Sequence, residues 1–103
     1  MNNSIRNFIS RTVTEISGTS SYKVTPDAPK PRLGVQVYNA STAHEVVLRM
    51  SSTPNPTLDD GDDGSLVLSP RSTIFLAIDA SVDVYALSES GAGPFSVVVE
   101  EVN

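Results

Sequence analysis

The chain has 103 residues, a formal net charge of −5 and 39% hydrophobic residues, with neither cysteine nor tryptophan. This length fits one domain with a single modest core, and the lack of cysteine excludes a disulfide framework, a thiolate nucleophile and a Cys-ligated zinc site. No run approaches the roughly 18 apolar residues that span a bilayer, and the N-terminus lacks the apolar stretch of a signal peptide, so we expect a soluble, unsecreted protein without a membrane partner.

The first 17 residues, MNNSIRNFISRTVTEIS, fit two kinds of element. Apolar residues recur at spacings of three and four, as in an amphipathic helix, but the β-branched run TVTEI also alternates as a strand does. One interpretation is an arm that docks on a partner, and the other is a first strand or helix packed on its own domain. On the first interpretation, the partner-binding residues of the arm are Ile5, Arg6, Phe8, Ile9, Arg11, Val13 and Ile16.

A proline-rich segment follows the arm. Three prolines stand within six residues: Pro26, Pro29 and Pro31. Because proline fixes φ and lacks a backbone donor, this segment predicts an extended strap, not a helix or a central strand. We therefore divide the chain into an N-terminal arm and strap, residues 1–31, and a β-sandwich body, residues 32–103.

The charge changes sign near the same boundary. Residues 1–32 carry five basic and two acidic residues, a net +3, whereas residues 33–103 carry two basic and ten acidic residues, a net −8. The acidic body lacks the Lys/Arg cluster that neutralises phosphates, so we expect no nucleic-acid partner.

From residue 32 onwards, short alternating segments predict β-strands. The segments are RLGVQVYN, AHEVVLRM, SLVL, STIFLAID, SVDVYALS and PFSVVVEEV. We expect the first two to form a hairpin through NAST and the last two to form one through ESGAG. This pattern predicts an all-β fold, a small antiparallel β-sandwich or jelly-roll-like barrel with an extended N-terminal arm.

The segment STIFLAID is apolar on both faces. One face should meet the core, and the other should meet a second layer or a partner. We therefore expect a homo-oligomer, with Phe75 and Tyr85 as further partner-binding residues on the body. The alternative is that the arm or the strap covers this strand. Tyr38 and Tyr85 also suggest a stacking face for a carbohydrate or a peptide, against the simpler interpretation of rings that cap the core.

The stretch DDGDDG is the densest charge in the chain. An EF-hand counted from Asp59 fails, because its third position is Gly61 and its twelfth is Pro70. We predict a solvated loop with no metal, and leave open a looser cation site formed by Asp59, Asp60, Asp62 and Asp63.

No group of residues has the spacing of an active site. His44 is the only histidine and has no nucleophile arrangement around it, and we expect an exposed residue at a strand end. Glu100 and Glu101 are adjacent on a strand, so their side chains point to opposite faces and do not form an acid/base pair. We predict no catalytic residue, no cofactor and no enzyme activity.

Three body segments share a layout with a known class of proteins: PRLGVQVYNAST, EVVLRMS and GSLVLSPRSTIFLAIDASVDVYALSESGAGPFSVVVEE. An Arg opens a strand that leads to an Asn-Ser turn, Leu-x-Pro precedes an apolar strand, and V-x-V/L-Y-A-x-S-x-S-G leads to a valine-rich strand ending in Glu. The matching positions are Arg32, Asn39, Ser41, Leu68, Pro70, Val82, Val84, Tyr85, Ala86, Ser88, Gly91, Val97, Val99 and Glu100. Over residues 31–102 the chain thereby resembles small virion proteins of tailed bacteriophages, of the capsid decoration, cement or head-fibre type. The acidic loop departs from this layout because it is longer.

The resemblance implies a virion structural protein that binds and stabilises the capsid shell as a decoration or cement protein, with the N-terminal arm as its contact. The implied partners are the major capsid protein or other virion subunits, and the implied state is a homo-oligomer, with a trimer favoured. Its place would be the capsid surface of the virion, after synthesis in the host cytoplasm. Two other classes stay open: a carbohydrate- or ligand-binding β module, and a head-tail connector or tail component.

Overall fold

The computed structural model describes residues 8–51, 66–89 and 93–103, and these ranges contain eight β-strands. The strands are β1 (Phe8–Ile16), β2 (Tyr22–Lys23), β3 (Gly34–Asn39), β4 (Val46–Ser51), β5 (Leu66–Leu68), β6 (Thr73–Leu76), β7 (Asp83–Ser88) and β8 (Phe95–Val102). Within the described ranges, no helix long and apolar enough to cross a membrane occurs.

The strands form two antiparallel four-stranded sheets. The first sheet has the order β1-β8-β3-β6, and the second has the order β2-β7-β4-β5. Val35 and Val37 of the first sheet and Leu48 and Val84 of the second are fully buried in one apolar cluster between the sheets. The predicted all-β class and the small sandwich are confirmed.

The alternation of apolar residues placed the body strands correctly. Each of the six segments from RLGVQVYN to PFSVVVEEV contains one strand, β3 to β8. Residues 8–16 form a strand and not a helix, and the proline-rich segment after Lys23 has no regular element before Gly34. The β-branched residues of β1 explain the first result, and the missing backbone donors of proline explain the second.

The predicted pairing of consecutive strands was wrong in two places. β3 and β4 do not form a hairpin, because β3 pairs with β6 and β8 while β4 pairs with β5 and β7. β7 and β8 also lie in different sheets. Among the strands of the described residues, β4 and β5 are the only consecutive pair that lies in one sheet. Alternation determines which face of a strand is buried, but it carries no information about the neighbouring strand.

The described residues on both sides of position 31 share one core. Ile16 at the end of β1 and Val24 just after β2 are fully buried in the same cluster as the valines of β3 and β8. β1 is hydrogen-bonded to β8, and β2 to β7, so each sheet takes one edge strand from the N-terminal part of the chain.

Candidate functional site

β1 carries the exposed apolar residues of the N-terminal part of the chain. Phe8 is 56% exposed and Val13 is 52% exposed. Arg11 and Glu15 are exposed on the same side of the strand as Val13, because side chains alternate along a strand. We call Phe8, Arg11, Val13 and Glu15 the outer surface of β1.

The opposite side of β1 faces the core. Thr12 and Thr14 are half-buried and stand in register with the core residues Val99 and Val97 of β8. Ile16 ends the strand with no exposed surface. It was predicted to contact a partner, but in this position it packs inside its own domain.

The first residues of β1 are irregular. The register with β8 shifts between Phe8 and Ser10, which leaves Ile9 in a bulge. The Lys30 ammonium donates to the Ile9 carbonyl at 3.3 Å, so the strap contacts the strand at this bulge. A bulge bends a strand and interrupts its ladder, and here it separates Phe8 from the regular part of β1.

A buried ion pair lies beneath this end of the strand. Nη1 of Arg32 is 2.6 Å from Oε2 of Glu101, and the two side chains are 0% and 1% exposed. Taking both charges out of water is costly, and the pair persists only if further hydrogen bonds satisfy the remaining polar atoms. Both residues have such bonds.

Glu101 connects β1 and the strap to β8. Its carboxylate accepts a hydrogen bond from the Ser10 hydroxyl at 2.6 Å and from the Lys30 backbone N–H at 3.2 Å. Burial raises the pKa of Glu101, but the hydrogen bonds from Ser10, Arg32 and Lys30 outweigh burial, so the net effect lowers the pKa below its ordinary value. The carboxylate therefore stays charged at neutral pH. We call Ser10, Lys30, Arg32 and Glu101 the charged cluster.

Arg32 uses its remaining donors on the connection between β6 and β7. Its guanidinium donates to three backbone carbonyls, those of Ile78, Asp79 and Val82, at 3.3, 2.9 and 2.6 Å. The rigid fork of five N–H donors suits this task, which a lysine ammonium would perform less well. One side chain thus holds a crossover between the sheets and neutralises Glu101.

The other end of β3 has a neutral counterpart. Asn39 is fully buried, and its side-chain amide donates to the carbonyls of His44, Leu68 and Ser69 at 2.8, 3.1 and 3.3 Å. Its side-chain oxygen accepts from the Ser41 backbone N–H. We call Asn39 and these partners the amide cluster. The connection that contains NAST crosses between the sheets and does not form the predicted hairpin.

The body residues predicted to bind a partner lie on different faces. Phe75 is half-buried on the outer face of the first sheet, where its ring packs so closely over Gly34 that a Cβ there would be 2.5 Å from the ring. Tyr85 lies on the outer face of the second sheet and is 5% exposed. Tyr38 is in the first sheet. Tyr38 and Tyr85 therefore do not form one stacking platform.

His44 is half-buried and not exposed as predicted. Its ring stacks on Phe95, with the centroids 5.7 Å apart. Among the described residues, no group of three or more His, Asp or Glu side chains is placed to hold a metal ion, and no pocket occurs. Ile5, Arg6 and the four aspartates of the acidic loop lie outside the described residues.

Sequence reasoning missed the charged cluster. From the sequence alone, Arg32 marks only the start of a strand, and Glu101 is only predicted to point away from Glu100. The signal in the sequence is the alternation along β8, which places Glu101 on the same strand face as the core valines Val97 and Val99. A charged residue at an inward position requires a buried partner, and Arg32 follows the strap directly.

Comparison of the chain with protein-family models, characterised proteins and solved structures finds no match.

Proposed function

We propose that this protein is a structural subunit of a tailed-bacteriophage virion, which binds the capsid shell as a decoration or cement protein through its N-terminal part. The proposal starts from the resemblance of residues 31–102 to small virion proteins. The observation that carries it further is the outer surface of β1, where two large apolar side chains, Phe8 and Val13, are more than half exposed.

The composition of this surface suits a protein partner. Arg11 lies between Phe8 and Val13 along the strand and is exposed. Interfaces combine apolar anchors with arginine more often than the rest of a protein surface does. Arg11 would meet an acidic patch on the major capsid protein or another virion subunit, while Phe8 and Val13 would lose their contact with water.

The charged cluster supports this role by holding β1 in place. Ser10 of β1 and Lys30 of the strap both donate to Glu101, so the strand that carries the surface is connected to the body at the end where Phe8 lies. A pre-ordered binding strand costs less conformational entropy on association than a disordered one. Many identical copies on a repeating shell would then add their modest affinities.

The test is cosedimentation of the purified chain with capsid shells assembled without it. We expect the wild type to pellet with the shells, and Phe8→Asp to weaken binding about tenfold or more, since removing an anchoring apolar residue costs about 1–2 kcal/mol. Val67→Asp is the matched control, because Val67 is also 56% exposed but lies on β5 of the second sheet.

Two results would contradict the proposal. The first is a wild-type chain that stays in the supernatant at every shell concentration. The second is a Phe8→Asp variant that binds as tightly as Val67→Asp and the wild type. Retention of the chain on a glycan array without shell binding would instead support the carbohydrate-binding alternative.

A further inference from the structure

The four sheet edges of the sandwich differ greatly in length. The terminal strands are β1 and β6 in the first sheet and β2 and β5 in the second. β6, β2 and β5 have four, two and three residues, whereas β1 has nine. An exposed edge presents unpaired backbone N–H and C=O groups that pair readily with another chain, and short edge strands reduce this tendency. In the described part of the chain, only β1 is a long edge.

The side chains of β1 have a symmetric arrangement about its middle residue. Arg11 and Glu15 lie two residues before and two residues after Val13, all three on the outer side of the strand. If two copies of β1 run antiparallel with Val13 opposite Val13, each Arg11 stands opposite a Glu15 of the other copy. Opposite charges in such cross-strand positions are attractive. Two ion pairs would flank one apolar contact.

We propose that β1 pairs antiparallel with β1 of a second copy of this chain, across a two-fold axis at Val13. The first sheets of the two molecules then join into one eight-stranded sheet. A two-fold contact of this kind uses the same surface on both copies. On the core side, Thr12 stands opposite Thr14 of the second copy, a pairing that allows hydroxyl hydrogen bonds.

The charges also exclude other pairings of the same strands. A parallel arrangement in register places Arg11 beside Arg11 and Glu15 beside Glu15, which is repulsive. A shift of two residues in the antiparallel arrangement places Val13 opposite a charged residue and loses both ion pairs. A shift of one residue places the outer side chains of one copy on the same sheet face as the core-side residues of the other copy. Of these arrangements, only the antiparallel register centred on Val13 places each Arg11 opposite a Glu15 of the other copy.

The bulge at Ile9 limits the paired segment to Ser10–Ile16, because the regular register with β8 begins at Ser10. These seven residues are symmetric about Val13, so both ends of the pairing coincide with the ends of the regular strand. The pairing uses the backbone edge, so the outer surface of β1 stays at the surface of the joined sheet. The inference goes beyond the proposed function, since it concerns two copies of the chain and needs no capsid partner.

Sedimentation equilibrium of the purified full chain tests the proposal. We expect the wild type to approach twice its 10.9 kDa mass as concentration rises. Arg11→Glu and Glu15→Arg should each weaken dimerisation by at least about tenfold, because each creates two like-charge contacts. An equimolar mixture of the two variants should form a heterodimer, and the double variant should dimerise again.

Two exposed sites provide charge-matched controls. Asp27→Arg changes the charge as Glu15→Arg does, and Arg71→Glu changes it as Arg11→Glu does, and both should dimerise like the wild type. Arg11 stands opposite Glu100 within its own sheet. If Arg11→Glu fails to fold by circular dichroism, then Glu15→Arg, opposite Ser96, and the double variant carry the test.

Three results would overturn the proposal. The wild type would sediment as a monomer at all concentrations, or as a trimer, which a two-fold strand pairing cannot close. Alternatively, the folded Glu15→Arg variant would dimerise as tightly as the wild type. A trimer would return the oligomeric state to the one that the resemblance implies.

Discussion

β3 is held at each of its two ends by a polar side chain that the core surrounds. Before its first residue, Arg32 donates to the three carbonyls of the β6–β7 connection and to the Glu101 carboxylate. At its last residue, Asn39 donates to carbonyls near β4 and β5. A chain that crosses between sheets leaves backbone carbonyls without strand partners, and at both ends of β3 a side chain donates to such carbonyls.

The two ends of β3 differ in charge, and this difference determines how many elements each end connects and whether its stability depends on pH. The amide cluster is neutral and satisfies only the connections around it. The charged cluster also gathers β1 and the strap, because a carboxylate can accept several hydrogen bonds. A neutral connection is independent of pH, whereas a charged one ties the attachment of β1 to a proton. The charged end is therefore the end whose contribution to stability should depend on pH.

The largest expected effect is at Glu101. Glu101→Gln keeps the shape of the side chain but leaves the Arg32 guanidinium buried without a counter-charge. We expect a loss of about 3–5 kcal/mol in the free energy of unfolding, measured by urea denaturation. Glu100→Gln is the control on the next residue, and it should change stability by less than about 0.5 kcal/mol. Equal losses for the two variants would contradict the role of the charged cluster.

Asn39→Ala should have the second largest effect. It removes the donors to three carbonyls, so we expect a loss of about 2–3 kcal/mol in the same denaturation experiment. Thr42→Ala, at an exposed position of the same turn, serves as the control and should be close to neutral. An Asn39→Ala variant as stable as the wild type would show that the amide cluster does not hold this end.

The stability contributions of the two ends of β3 should depend differently on pH. Because the folded pKa of Glu101 lies below its ordinary value of 4.5, the unfolded chain binds more protons as the pH falls through this range, and stability falls with it. The difference in stability between the wild type and Glu101→Gln should therefore be complete above about pH 4.5 and shrink at lower pH. The difference between the wild type and Asn39→Ala should stay constant. A constant difference for both would refute the assignment.

Ser10→Ala should have a smaller effect at the charged end. It removes one hydrogen bond to a charged acceptor, and we expect a loss of about 1–2 kcal/mol. It should also raise the pKa of Glu101, since a donor that favours the charged form is lost. NMR titration of the Glu101 carboxyl measures this shift. An unchanged titration would mean that Ser10 does not share in the cluster.

The smallest expected effect is at Ser88. Its hydroxyl is buried and has no hydrogen-bond partner among the described residues. Ser88→Ala should leave stability unchanged or raise it by up to about 1 kcal/mol, because an unsatisfied buried hydroxyl is costly. Thermal unfolding measures the change. A clear loss of stability would show that this hydroxyl is satisfied in solution.

The fold class and most strand positions could be predicted from the sequence. Alternating valines in β3 and β8 indicate one buried face, and the prolines exclude a regular element before β3. The pairing of strands could not be predicted in the same way. β3 and β4 are adjacent in the chain and separated by a good turn sequence, yet they lie in different sheets. Turn propensity describes the bend of the backbone and not the sheet to which the next strand belongs.

The candidate site was predictable only in part. The apolar residues Phe8 and Val13 of β1 stood out by their spacing, and both are exposed. The spacing also included Ile16, which is buried, because a three-to-four periodicity describes a helix and mixes the two faces of a strand. The partnership of Arg32 and Glu101 joins residues 69 positions apart, and only the fold brings them together.

Native-state hydrogen exchange of the β1 amides tests the central claim, that the charged cluster holds the N-terminal strand on the body. In Glu101→Gln, the amides of Thr12 and Thr14 should exchange through an opening that costs less than global unfolding, while those of β4 keep the global value. In Asn39→Ala, the β1 amides should exchange with the same opening free energy as the β4 amides, which is the lowered global value of that variant. Equal protection of β1 and β4 in Glu101→Gln would contradict the claim.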